Sequence, residues 1–151
     1  MRTGYALLLL IYMGTAHGQA DSIRMDSLLA HVRFLASDEL RGRQTGTAGN
    51  AAAARYITQR FQAYGLKPLT ADYRQPFQFY SRLTKQAYKG ANLIAMVEGS
   101  AQPDSFLVIS AHYDHIGVRE GAVYNGADDN ASGVGLLPGA PGSLQPDFRG
   151  L

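Results

Sequence analysis

The chain has 151 residues, 46% of them hydrophobic and 17% charged, which gives room for one domain with a real core and not for two. Fourteen basic against twelve acidic residues leave a formal charge of +2, and the basic residues are scattered rather than run together, which excludes a nucleic-acid footprint. There is no cysteine, so disulfides are excluded, as is a lipid-modified cysteine at an export signal.

In chain order, the first segment is MRTGYALLLLIYMGTAHGQA, with Arg2 ahead of an apolar stretch from Tyr5 to Met13 and small and polar residues up to Ala20. This is the layout of a secretory signal cleaved after Ala20, since the apolar stretch falls well short of the roughly 20 residues that span a bilayer. The mature protein is expected to be secreted or periplasmic, with no membrane association after signal removal.

From Asp26, DSLLAHVRFLASDEL sets Leu28, Leu29, Val32, Leu35 and Ala36 at helical spacing, with Asp26 as candidate N-cap. It predicts a helix over 26–37. After the break RGRQTGTAG, the segment NAAAARYITQRFQAYG carries strong helix formers, an apolar face of Ala54, Ile57 and Phe61, and Gly65 where a left-handed terminal residue belongs. A second helix is expected over about 48–64. Residues 72–91 mix Tyr73, Phe77, Phe79, Tyr80 and Tyr88 with polar residues, a composition for strands on a half-exposed sheet. ANLIAMVEG (91–99) reads as a strand, and FLVISAH (106–112) as a strand buried on both faces. Helices followed by strands, the last of them buried, imply an α/β sandwich with an unfinished sheet.

From Leu137 the texture changes. PGAPGSLQPDFRGL holds three of the six prolines and no helical or strand period, and Pro138 stops the helix that DDNASGVGLL begins. The expected organisation is a signal at 1–20, the folded part at 21–137, and a disordered tail at 138–151, which reads as an out-of-frame or truncated end.

The chemistry gathers at residues 110–137, in SAHYDHIGVREGAVYNGADDNASGVGLL. His112 and Asp114 stand at the carboxyl end of the expected buried strand, where open α/β sheets place their ligand crevices. Residues two apart in a strand share a side, so the imidazole can bind a metal while the carboxylate orients it. One imidazole with carboxylates favours zinc or a similar divalent ion over calcium or magnesium. Further on, Asp128 and Asp129 are adjacent in a glycine-flanked loop, where two carboxylates repel unless a cation or backbone N–H groups compensate. A carboxylate can bridge two metals of a two-metal hydrolase. Taken singly, His-x-Asp fits a hydrogen-bonded pair and Asp-Asp-Asn fits a turn or cap; their combination after a buried strand points to a site. His115 reads as a loop residue near that site, and His31 carries no functional signal.

The paired motifs AHYDHIG and YNGADDNASGV resemble the co-catalytic zinc aminopeptidase family, which includes secreted bacterial leucyl aminopeptidases and the glutamate carboxypeptidase II type. The upstream LASDELRGRQTGTAGNAAAARYITQRFQAYGLKP is similar to that family's N-terminal approach, so the resemblance covers about residues 26–137. It implies a mixed sheet between helix layers and a two-zinc site acting on peptide substrates. It further implies that His112 is a zinc ligand, that Asp114 is its orienting acidic neighbour in the active site, and that Asp129, standing before Asn130-Ala131-Ser132-Gly133, bridges both zincs.

The family carries its general base and a further zinc ligand in a Glu-Glu pair and completes the site with a later Asp and a distal His. This chain has no glutamate after Glu120 and no histidine after His115. With two of the ligands, these residues are expected to bind zinc weakly or not at all and to hydrolyse nothing. The reading is the N-terminal part of an exported zinc exopeptidase of aminopeptidase type. Its rivals are a catalytically dead secreted domain that binds peptides or a partner, and a secreted module in which Asp114, Asp128 and Asp129 hold calcium.

Overall fold

The computed structural model describes residues 25–82, 84–99 and 104–137; the expected signal segment and the 138–151 tail lie outside them. Helix α1, Met25–Leu35, buries His31 and Leu35. It starts one residue earlier than the sequence predicts, so Asp26 lies inside the first turn rather than capping it, and Leu29 faces solvent at 41% exposure. A 3₁₀ segment, Asp38–Arg43, follows, and then helix α2, Ala48–Ala63. The Thr47 side chain caps α2 by accepting from the Asn50 N–H. The expected apolar face is the buried one: Ala54, Ile57 and Phe61 are each no more than 6% exposed. Gly65, at φ 69°, supplies the left-handed residue that ends the helix.

Strands β1 (Lys67–Pro68) and β4 (Ala95–Met96) form one antiparallel pair. Strands β2 (Arg74–Ser81) and β3 (Gln86–Leu93) form an eight-residue antiparallel hairpin with Phe79 opposite Tyr88, two rings stacked with centroids 5.4 Å apart. Strands β5 (Gly117–Arg119) and β6 (Ala122–Tyr124) pair across Glu120 and Gly121. Both turn residues have positive φ, the requirement of the two-residue turn whose twist matches a hairpin. A π-type turn, Ala127–Ala131, leads into the short helix α3, Ser132–Leu136, which packs on α1.

The architecture is therefore α/β, with helices α1 and α2 enclosing a core of Leu35, Leu40, Ala53, Ile57, Phe61, Leu66, Tyr73, Ala131 and Val134. Among the described residues the strands lie in three separate antiparallel pairs. The expectation at 106–112 is corrected: the segment forms no strand, and Phe106, Leu107, Val108 and Ile109 are 81%, 65%, 80% and 51% exposed. An apolar run becomes a buried strand only where neighbours accept its backbone hydrogen bonds, and no described strand pairs with it. No helix among the described residues is long and apolar enough to cross a membrane.

Candidate functional site

Two loops bring the sequence-predicted residues together. The first, residues 112–115, follows the apolar segment and is tied to β3 by the Tyr113 hydroxyl, which donates to the Ala91 carbonyl at 2.7 Å. Burial pushes the Tyr113 phenol above its ordinary range; Asp114 adds to the shift, while Arg74 and the Ala91 contact oppose it. The second loop runs from Asn125 through the π-type turn. There Asp129 and Asn130 leave helical geometry, the Asn130 Oδ1 accepts from the Gly133 N–H at 3.2 Å, and the Ser132 hydroxyl donates to the Asp128 carbonyl at 3.1 Å.

His112, on the first loop, faces the second. Its Nε2 lies 2.9 Å from Asp129 Oδ1, and its Nδ1 faces Asp114, 3.1 Å from the carbonyl and 3.5 Å from Oδ1. This is the division of labour expected of a metal-binding imidazole, with one nitrogen held by a neighbour and the other turned to the donor set. Thr45 donates its hydroxyl to Asp114 Oδ2 at 2.7 Å, fixing the carboxylate. A cavity of about 100 Å³ opens beside the pair, lined by Thr45, Asn50, Phe77, Asn92, His112 and Asp114 among others.

The structure adds residues that sequence reasoning missed or set aside. His115 stands closer to the chemistry than a loop residue need be: its ring is nearly enclosed, and Nδ1 lies 3.6 Å from Asp129 Oδ2. Asp129 is thus flanked by two imidazoles, whereas the Asp128 carboxylate makes no described contact. Thr45 and Arg43 come from RGRQTGTAG, which reads in sequence as a break between helices and as part of the stretch similar to the family's N-terminal approach, with no role for either residue. The signal for them was the polar side chains within a stretch whose glycines allow close approach.

His112 Nε2 and Asp129 Oδ1 are spaced as two donors to one ion nearly are, since ligands of a tetrahedral zinc stand roughly 3.4 Å apart. Among the described residues no group of three or more His, Cys, Asp or Glu side chains is arranged to hold a metal ion. These residues fit as two donors with their orienting neighbours, short of a closed site.

Residues 92–139 match the family described as Peptidase family M28, the span that contains both motifs. Alkaline phosphatase isozyme conversion protein of Escherichia coli (strain K12) is 29% identical over 108 residues, 64% of this chain and 31% of the relative. The chain therefore spans about a third of the length of the curated relative it matches. The resemblance read from the two motifs holds at the level of the family: the chain is similar to the M28 peptidases, the co-catalytic zinc aminopeptidase family.

Proposed function

We propose that this chain is part of an exported zinc-dependent exopeptidase of aminopeptidase type, which in its complete form hydrolyses peptide bonds at peptide N-termini. The observation that carries this reading is the meeting of His112 Nε2 and Asp129 Oδ1 at 2.9 Å, from motifs on separate loops, with Asp114 behind Nδ1. His112 and Asp129 would hold zinc, Asp129 as the bridge of a two-ion site, and Asp114 would orient the imidazole. Zinc bound there would supply an activated water and polarise the scissile carbonyl. The chain's own residues orient: Thr45 fixes Asp114, Asp114 fixes His112, and a cavity lies beside them. Two donors hold zinc weakly, and no glutamate follows Glu120 to act as general base, so these 151 residues alone are expected to bind zinc weakly and to hydrolyse no peptide. The N-terminal segment directs export and is removed after Ala20.

Titration calorimetry of the chain with zinc and with calcium, for wild type, His112→Ala and Asp129→Asn, tests the metal reading. Weak zinc binding abolished by either substitution is expected. Calcium binding unaffected by His112→Ala would replace this reading with the calcium module, and no binding of either metal would favour a peptide-binding domain without metal. Sequencing the N-terminus of the exported product tests the signal: it should begin at Asp21.

A further inference from the structure

Arg43 is 1% exposed, and all of its described hydrogen bonds go to backbone carbonyls. Its Nε donates to Tyr113 at 3.0 Å, Nη2 to Gly126 at 3.0 Å, and Nη1 to Asn125 at 2.7 Å and to Leu35. Its own carbonyl accepts from the Asn50 side chain at 3.2 Å and from the His115 N–H at 3.3 Å. The guanidinium thus grips both site loops at once. Tyr113 stands between His112 and Asp114, and Asn125 and Gly126 lead directly into the Asp128-Asp129 turn.

A buried cation is tolerated only when its donors are satisfied, and the flat five-donor fork of arginine has a geometry that the single amine of lysine does not reproduce. Gly42 makes this placement possible. A Cβ there would lie 2.5 Å from the carbonyl oxygens of both Gly117 and Tyr124, so the β5–β6 hairpin closes onto bare backbone and Arg43 passes beneath it.

We propose that Arg43 is a positioning residue that sets the spacing between His112 and Asp129 and thereby the metal affinity of the site. The metal half of this inference rests on the function proposed above. Arg43 joins the two loops through carbonyls and touches neither His112 nor Asp129 in any described hydrogen bond or ion pair; its charge reaches Asp114 and Asp129 at longer range, so Arg43→Lys, which keeps the charge, isolates the part of its effect that runs through the backbone.

The test uses the full chain as wild type, Arg43→Ala and Arg43→Lys, with Ile57→Val as a core substitution that lowers stability only. Each is titrated with zinc alone, and ¹⁵N amide resonances of residues 112–115 and 125–129 are followed. Both Arg43 variants should bind zinc ~10–100-fold more weakly, as for other groups that orient metal ligands, and millimolar ethylguanidinium should restore Arg43→Ala but not alter Ile57→Val. Wild-type affinity in both variants, or failure of ethylguanidinium to restore a folded Arg43→Ala, would overturn the proposal. If Arg43→Ala does not fold, Arg43→Lys decides, because it keeps charge and length. If wild type binds zinc no better than His112→Ala, the metal reading fails on its own, and the resonances decide the positioning role: joint shifts in both loops of Arg43→Lys support it, and shifts in neither overturn it.

Discussion

Replacing Gly42 by alanine should destabilise the fold far more than the same change at Gly65, although the two glycines share a backbone conformation, φ 67° and φ 69°. An alanine at positive φ costs roughly 1–2 kcal/mol, partly offset at both sites by the reduced freedom of the unfolded chain. At Gly65 the new Cβ meets nothing within 4 Å. At Gly42 it falls 2.5 Å from two carbonyl oxygens and 2.8 Å from Gly117 Cα, all backbone, so the β5–β6 hairpin must retreat by about 1 Å to reach ordinary contact. Such overpacking adds about 1–3 kcal/mol, a large part of the ~5–15 kcal/mol that holds a typical domain folded. The chain has nine tyrosines and no tryptophan, and Tyr73 is buried with its hydroxyl on the Leu66 carbonyl, so urea unfolding followed by tyrosine fluorescence at low micromolar concentration reports both variants. Equal losses of stability in Gly42→Ala and Gly65→Ala would show that the hairpin does not press on the 3₁₀ segment, and the account of how Arg43 reaches the site loops would go with it.

Thr45→Val should weaken zinc binding about 10-fold with little change in unfolding midpoint, and Thr45→Ser should recover it, because the lost contact is a single hydroxyl on Asp114; unchanged affinity in calorimetry would refute the role. His31 is buried with Nδ1 2.7 Å from the Tyr56 hydroxyl and Nε2 without a partner, and burial, then Arg60, hold its pKa below 6.5. The unfolded chain therefore binds the proton first, so stability falls as pH drops below about 6.5; the urea midpoint of His31→Gln should decline less steeply from pH 7.5 to 5.5, and parallel slopes would refute this. With four consecutive apolar side chains exposed at 106–109, the wild-type chain should self-associate as concentration rises, and Phe106→Lys with Val108→Lys should suppress it; a monodisperse wild type in sedimentation velocity would refute this.

What was legible in the sequence follows from which interactions leave a periodic trace. Helices α1 and α2 were readable to within two residues because burial of one face repeats every three to four positions and Gly65 marks the stop. The aromatic composition of 72–91 points to strands, and the structure pairs them as the β2–β3 hairpin, which runs on to Leu93. The β5–β6 hairpin was not foreseen, since three-residue strands are too short for a period and the Glu120-Gly121 turn is weaker as a signal than Asn-Gly. Arg43 was invisible for a different reason: its partners are main-chain carbonyls, which every residue possesses, so nothing in their identity pointed back to it. The apolar run at 106–112 has the composition of a buried strand. A strand also needs a ladder partner, which lies elsewhere in a sequence and has no local signature.

The same contrast bears on the two adjacent aspartates. From sequence, Asp128 and Asp129 call for a compensating cation, and that was half the case for a metal. In the structure Asp129 already has protein partners, His112 at 2.9 Å and His115 at 3.6 Å, while the buried Arg43 guanidinium interacts with both Asp114 and Asp129 at longer range against the downward pull of its own burial. Charge repulsion within the turn is therefore relieved in part by the fold itself, and the adjacency of the carboxylates no longer demands an ion. The case for zinc moves to the geometry of His112, whose Nδ1 is committed to Asp114 and whose Nε2 meets a carboxylate brought from a loop more than ten residues away. A zinc ion entering there must displace the direct His112–Asp129 contact rather than fill an open space, so its binding competes with an interaction the chain makes alone. On the zinc reading proposed above, two donors against that competition would give weak affinity, and loosening the grip of Arg43 on the loops would leave less still.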